Sequence, residues 1–171
     1  TFQGTVVSSG VTGVWAANYT GVWHLNEDPA GTAPQMKDRT SNANHLTATG
    51  SPTQKTDSKI GSGVNNPDGA DVTNTSFSGV VGFPFTLEVW TAVTGYITGS
   101  SGTEDLTLGS ATDQYFSIGW GGTSPHTITK IMGRNTSFVG TSGTDIVTQN
   151  TWTHLVGVFE STTSRKLYVN G

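Results

Sequence analysis

Short stretches of alternating apolar and polar residues, separated by turn-forming residues, recur along the chain. The strongest stretch is residues 85–93, which divides into two faces. One face carries Phe85, Leu87, Val89 and Val93. The other carries Thr86, Glu88, Trp90 and Ala92. Because successive side chains of a strand point to opposite sides of the sheet, this alternation predicts a half-buried antiparallel strand.

The same alternation predicts further strands at residues 22–25, 115–120, 128–132, 152–159 and 166–169. Segments rich in Gly, Asn, Ser and Pro lie between them, and strands with turn signals at roughly 8–12-residue intervals are typical of a sandwich or barrel. No stretch keeps helical spacing beyond about two turns. The pattern therefore predicts an all-β protein, an antiparallel β-sandwich.

Composition and charge narrow the functional classes. Hydrophobic residues make up 33% of the 171 residues and charged residues 12%, a mixture too apolar for a disordered tail. The net charge of −4 and the scattered Lys and Arg residues argue against nucleic-acid binding. No apolar run reaches the roughly 18 residues of a membrane span, so no membrane insertion is expected. Without Cys, disulfides, thiolate metal sites and Cys nucleophiles are excluded.

Several motifs, in order along the chain, resemble the LamG-like jelly-roll domain of the concanavalin A-like lectin/glucanase superfamily. They are Val22-Trp23-His24-Leu25, Lys59 to Val64, Pro84 to Trp90, Trp152 to Phe159, and Lys166 to Gly171. The resemblance implies a concanavalin A-like jelly roll over residues 14–171, with residues 1–13 as a lead-in or linker. The opening segment, Val14 to Asp38, is similar to modules that follow DUF2341-type domains in bacterial and phage surface proteins.

Two departures from the family pattern carry structural expectations. The family continues beyond the Tyr168-Val169-Asn170-Gly171 motif, so the last strands of the sandwich are expected beyond this chain end. A neighbouring domain or subunit is then expected to complete the sheet edge, since unpaired edges associate. Pro67 removes a backbone donor, which predicts an interruption or an edge position in the segment 65–72.

Catalytic signatures are missing from the sequence. Glycosidases of this superfamily use two carboxylates on one strand face, whereas the acidic pairs Glu27-Asp28 and Glu104-Asp105 are adjacent and point apart on a strand. There is no Gly-x-Ser-x-Gly elbow and no His pair with zinc-ligand spacing. His24 and His154 are interpreted as structural imidazoles within strands. We therefore expect no enzymatic activity.

Calcium is the one cofactor that the sequence suggests. Asp68, Asp71 and Asn65 form a cluster of hard oxygen donors, of the kind that Ca²⁺ prefers. Asp38, followed by polar residues, is a second candidate. The alternative is that these residues only build turns, for which Asp, Asn and Gly are the usual choice.

The expected ligand is a glycan or cell-surface polysaccharide, bound by exposed aromatic rings with amide hydrogen bonds. Trp120 lies between glycines, which predicts an accessible ring, and Trp15 and Asn135 are further candidate binding residues. The other three tryptophans are predicted in the core: Trp23, Trp90 and Trp152. The expected setting is extracellular, on a cell surface or a virion. The alternative is a structural or decorating domain of a phage particle or filament that contacts only neighbouring subunits.

Overall fold

The computed structural model describes residues 15, 17–77, 82–94, 103–111, 114–121, 128–135, 137–146 and 148–171. Over these residues the regular structure consists of antiparallel β-strands without a helix, which confirms the predicted all-β class. None of the described segments is a helix long and apolar enough to cross a membrane. The chain forms two compact units, residues 1–80 and 81–171.

The strands, in chain order, are β1 (Thr47–Thr49), β2 (Thr53–Lys55), β3 (Gly63–Asn65), β4 (Asp71–Thr73), β5 (Phe85–Thr91), β6 (Thr103–Ala111), β7 (Gln114–Gly121), β8 (Ile128–Asn135), β9 (Ser137–Ile146), β10 (Thr153–Phe159) and β11 (Arg165–Val169). The five stretches predicted from residue 85 onward coincide with β5, β7, β8, β10 and β11.

The second unit is a two-layer sandwich. One layer is a three-stranded sheet in the order β11-β10-β5, and the other is a four-stranded meander in the order β6-β7-β8-β9. All of these pairings are antiparallel. The three-stranded sheet packs against the meander, with β10 and β5 lying over β7 and β11 over β8.

The core of this unit lies between the two sheets. Along β10, alternate residues are buried, and its inward residues Leu155 and Phe159 are fully buried. Phe159 stacks on Phe85 with ring centroids 4.8 Å apart and contacts Phe116 edge-on at 5.3 Å. The full burial of Leu155 and Phe159 contributes about 1.5–3 kcal/mol for each side chain. The outward residues of β5 and β10 consequently form a second face, which points away from this core.

The first unit contains two short ribbons, β1 with β4 and β2 with β3. The predicted strand over residues 22–25 is wrong beyond a single bridge between Trp23 and Asp38, because Leu25 takes a left-handed φ of 56° that ends extended structure. The predicted interruption at Pro67 is confirmed. β3 ends at Asn65, and a turn follows in which the Ala70 amide donates to the Pro67 carbonyl at 2.9 Å.

Gly50 is held against this turn. Its φ is +67°, and a Cβ built on it would lie 1.9 Å from the carbonyl oxygen of Gly69. We expect Gly50→Ala to lower the free energy of unfolding by about 2–4 kcal/mol, because it adds a backbone clash to the cost of a left-handed residue. Urea denaturation measures this difference.

Gly69→Ala is the matched control for that substitution. Gly69 also has a left-handed φ, +78°, but a Cβ there meets nothing within 4 Å. Gly69→Ala should therefore lower the free energy of unfolding only by the cost of a left-handed alanine, about 1 kcal/mol. Equal losses in the two variants would show that the close approach of residues 50 and 69 does not matter.

Candidate functional site

The outward face of the three-stranded sheet carries a group of aromatic and polar side chains. We define the aromatic face as Glu88, Trp90, His154, Val156 and Tyr168. Trp90 is 38% exposed and Tyr168 is 47% exposed, which makes them two of the few large apolar side chains at the surface of the described residues. The strand register explains the grouping, since His154 pairs with Trp90, and Val156 pairs with both Glu88 and Tyr168.

The polar members of the aromatic face are positioned by one another. His154 Nε2 lies 2.9 Å from Glu88 Oε1, and the imidazole stacks on Trp90 with ring centroids 4.8 Å apart at 21°. At the same level, the His154 amide donates to Asn170 Oδ1, and the Asn170 amide donates to the His154 carbonyl. The orientation of the indole ring is therefore fixed by neighbours on a sheet rather than by a loop.

Trp120 is buried, and the prediction of an accessible ring is wrong. Its side chain is 7% exposed and packs with Val93. The indole Nε1–H donates to Asp105 Oδ1 at 3.1 Å. A β-bulge between Glu104 and Leu106 takes Asp105 out of the ladder, which allows its carboxylate to reach the indole.

Comparison with protein families agrees with the sandwich. The model of the concanavalin A-like lectin/glucanases superfamily, Laminin_G_3, matches residues 61–171, more than half of the chain. The chain belongs to this superfamily. The jelly-roll class expected from the motifs is therefore confirmed. Comparisons with curated proteins and with solved structures give no significant match.

As its description states, the superfamily includes both lectins and glucanases. A glucanase needs two carboxylates facing one sugar bond. In this member, three of the four sequence-adjacent acids, Glu27, Asp28 and Asp105, have local structural roles. Glu27 forms an ion pair with Arg39 at 2.6 Å, and Asp28 accepts the Ala30 amide in a turn. Asp105 holds the indole of Trp120, as described above.

Asp38, the second calcium candidate, is a structural hub instead. It is 6% exposed, and its Oδ1 accepts the backbone amides of Val22 and Thr40. Its Oδ2 accepts the Thr40 hydroxyl and the Asn44 amide. A carboxylate has about four lone-pair sites. All are used here, so none remains for a cation.

These hydrogen bonds also set the acidity of Asp38. Burial raises its pKa, but the amides of Val22, Thr40 and Asn44 and the Thr40 hydroxyl together lower it below the ordinary aspartate value. Nearby, the Trp23 indole donates to the Asn44 carbonyl at 2.7 Å, and Asn44 Nδ2 donates to the Thr20 carbonyl. The segment 38–44 is therefore a hydrogen-bonded loop built around one carboxylate.

The first calcium cluster stays a prediction. Asn65 ends β3 with its amide 3.4 Å from the Thr53 hydroxyl, Asp68 lies exposed in the turn, and Asp71 begins β4. Over the described part of the chain, no three His, Asp or Glu side chains come together to hold a metal ion. A calcium ion at this cluster would therefore depend on amide and backbone oxygens.

The other two predicted binding residues, Trp15 and Asn135, are not part of the aromatic face. Trp15 is half-buried, with its ring edge-on to Tyr19 at 5.2 Å and to His24 at 6.0 Å. Asn135 ends β8, and its side chain falls outside the described residues. His24 is exposed and lies outside any strand, whereas His154 lies on β10, in the aromatic face. Trp90 is not a core residue, which corrects its predicted position.

Proposed function

We propose that this chain is a non-catalytic carbohydrate-binding module that holds a glycan on the aromatic face. The observation that carries the proposal is the pairing of two exposed rings, Trp90 and Tyr168, with the hydrogen-bonded Glu88–His154 pair on one rigid sheet. Sugar rings have apolar C–H faces and hydroxyl edges. Such ligands are bound by aromatic rings together with a few fixed polar groups.

The spacing of the face favours an oligosaccharide. Trp90 and Tyr168 are two strands and two residues apart in the register, so their Cα atoms lie roughly 12 Å from each other. One sugar ring cannot reach both. The Glu88 carboxylate, with a side chain 59% exposed, lies on the same face, on the strand that carries Trp90, and can accept hydroxyl hydrogen bonds.

Display outside the cell, on a cell surface or on a virion, is part of this proposal. It is supported by the similarity of the opening residues to modules of bacterial and phage surface proteins.

Replacing either ring should remove binding and leave the fold in place. We expect Trp90→Ala and Tyr168→Ala each to weaken binding by about tenfold or more, because each loses a stacking surface worth about 1.4 kcal/mol or more. Affinity electrophoresis in gels that contain a series of neutral polysaccharides measures the retardation. Ile60→Ala is the control, since Ile60 is 80% exposed but lies outside the aromatic face.

The outcome that contradicts the proposal is equal retardation of all three variants and the unmodified protein. Loss of the cooperative unfolding transition in Trp90→Ala would also contradict it, since it would make Trp90 a structural residue.

The second candidate is a structural module that contacts neighbouring subunits. It is favoured by the half-buried Val156 and Val158 on the outward side of β10, because exposed apolar surface also marks protein interfaces. Sedimentation velocity separates the two functions. A concentration-dependent dimer that Trp90→Ala dissociates would support the structural role, and a monomer at all concentrations would support carbohydrate binding.

A further inference from the structure

A shallow groove lies beside the ribbon of β1 and β4 in the first unit, whereas the aromatic face belongs to the second unit. We define the threonine groove by its lining residues: His45, Thr47, Thr49, Thr73, Asn74, Thr75 and Ser76. Thr47 pairs directly with Thr73 across the two strands, and Thr49 follows Thr47 on the same side of β1. The ribbon register therefore aligns hydroxyl groups along one surface.

The hydrogen-bonding character of the groove is partly fixed. The Asp38 amide donates to His45 Nδ1 at 3.0 Å, so Nδ1 is an acceptor and the neutral ring carries its proton on Nε2. The Asn74 carbonyl oxygen Oδ1 accepts the Ser76 amide at 2.8 Å, which leaves the Nδ2 group as the donor end of that side chain. The Thr49 hydroxyl donates to the Asp71 carbonyl at 3.5 Å, and the other four Thr and Ser hydroxyls of the groove can donate or accept.

The charge and polarity of the lining side chains favour one class of ligand. Every lining side chain is neutral and polar when His45 is neutral, with no Lys, Arg, Asp or Glu among the lining residues. An anion or a metal cation would meet no opposite charge there, and an apolar ligand would meet mostly hydroxyl groups. A neutral ligand with several hydroxyls can exchange donor and acceptor roles with each Thr.

We propose that the threonine groove is a second carbohydrate site, which binds a neutral saccharide by hydrogen bonds without aromatic stacking. It shares its ligand class with the proposed function but uses none of the same residues. The module would then have two saccharide sites, one in each unit. Because different substitutions disrupt the two sites, binding at one site can be tested independently of binding at the other.

The test is a two-dimensional amide NMR titration with neutral trisaccharides built from glucose, galactose or mannose. We expect at least one of them to shift the amides of residues 45–49 and 73–76. The double substitution Thr47→Val and Thr73→Val removes two hydroxyls and keeps the β-branched shape. It should raise the Kd obtained from these shifts about tenfold, and Trp90→Ala should leave that Kd unchanged.

Thr53→Val is the matched control, because Thr53 is an exposed strand threonine of the same unit outside the groove. Its titration should follow that of the unmodified protein. The proposal is overturned if no trisaccharide moves the groove amides, or if the double variant binds as tightly as the control. Shifts at residues 86–90 and 154–168 report on the aromatic face in the same spectra, so the failure of one site is distinguished from the failure of the other.

Discussion

Trp120→Ala should lower the free energy of unfolding by about 3–5 kcal/mol. The indole is 7% exposed, packs with Val93, and donates a hydrogen bond to Asp105. Truncation leaves a cavity and a partly buried carboxylate without that donor. Urea denaturation followed by tryptophan fluorescence and circular dichroism measures the loss.

Trp120→Phe separates the two causes. It keeps most of the ring volume and removes only the Nε1 donor, so the expected loss is about 1–2 kcal/mol. If Trp120→Ala unfolded at the same urea concentration as the unmodified protein, the indole would not be a core residue. Loss of glycan binding with full stability would then restore the role that the flanking glycines suggested.

Asp38→Ala should cost about 3–5 kcal/mol of the free energy of unfolding. The substitution leaves the amides of Val22, Thr40 and Asn44 without their acceptor, and each unsatisfied buried donor costs about 1–3 kcal/mol. Asp38→Asn should cost less, about 1–2 kcal/mol, because its one carbonyl oxygen can still accept two amides while its NH₂ group faces the Asn44 amide.

The same carboxylate gives a pH dependence with a defined sign. The pKa of Asp38 is lowered in the folded chain, so its contribution is complete above the ordinary aspartate pKa and is lost as the pH falls through the lowered value. Urea midpoints measured from neutral to acidic pH should therefore fall less steeply in Asp38→Asn than in the unmodified protein. Parallel slopes would contradict the assignment of Asp38 as a buried ionised hub.

Five strands of the second unit, β5, β7, β8, β10 and β11, could be predicted because their pattern has one strong period. The two longest strands, β6 and β9, are not among the predicted strands, since each carries only three apolar residues. Phe85, Leu87 and Val89 alternate with polar residues, and a shift of one residue would expose all three. The short strands β1 to β4 could not be predicted in this way. Each has three residues, too few for a period, and turns such as the one at Pro67 separate them.

The tryptophans show where the burial of a side chain cannot be predicted from its neighbours in sequence. Trp90 shares its predicted face with Thr86 and Glu88, so the alternation already placed it opposite Leu87, outside the core. Its place within a strand motif favoured a core position instead. For Trp120, the neighbouring glycines suggested exposure, but burial depends on Val93 and the bulged Asp105, which are distant in sequence. No local pattern contains that information.

The central claim is that the aromatic face binds carbohydrate. A glycan array probed in parallel with the unmodified protein and with Trp90→Ala tests it most directly. The account predicts that the unmodified protein binds a defined subset of oligosaccharides and that Trp90→Ala, folded to the same extent, loses them. A blank array for the unmodified protein, or the same bound glycans for both proteins, would contradict it.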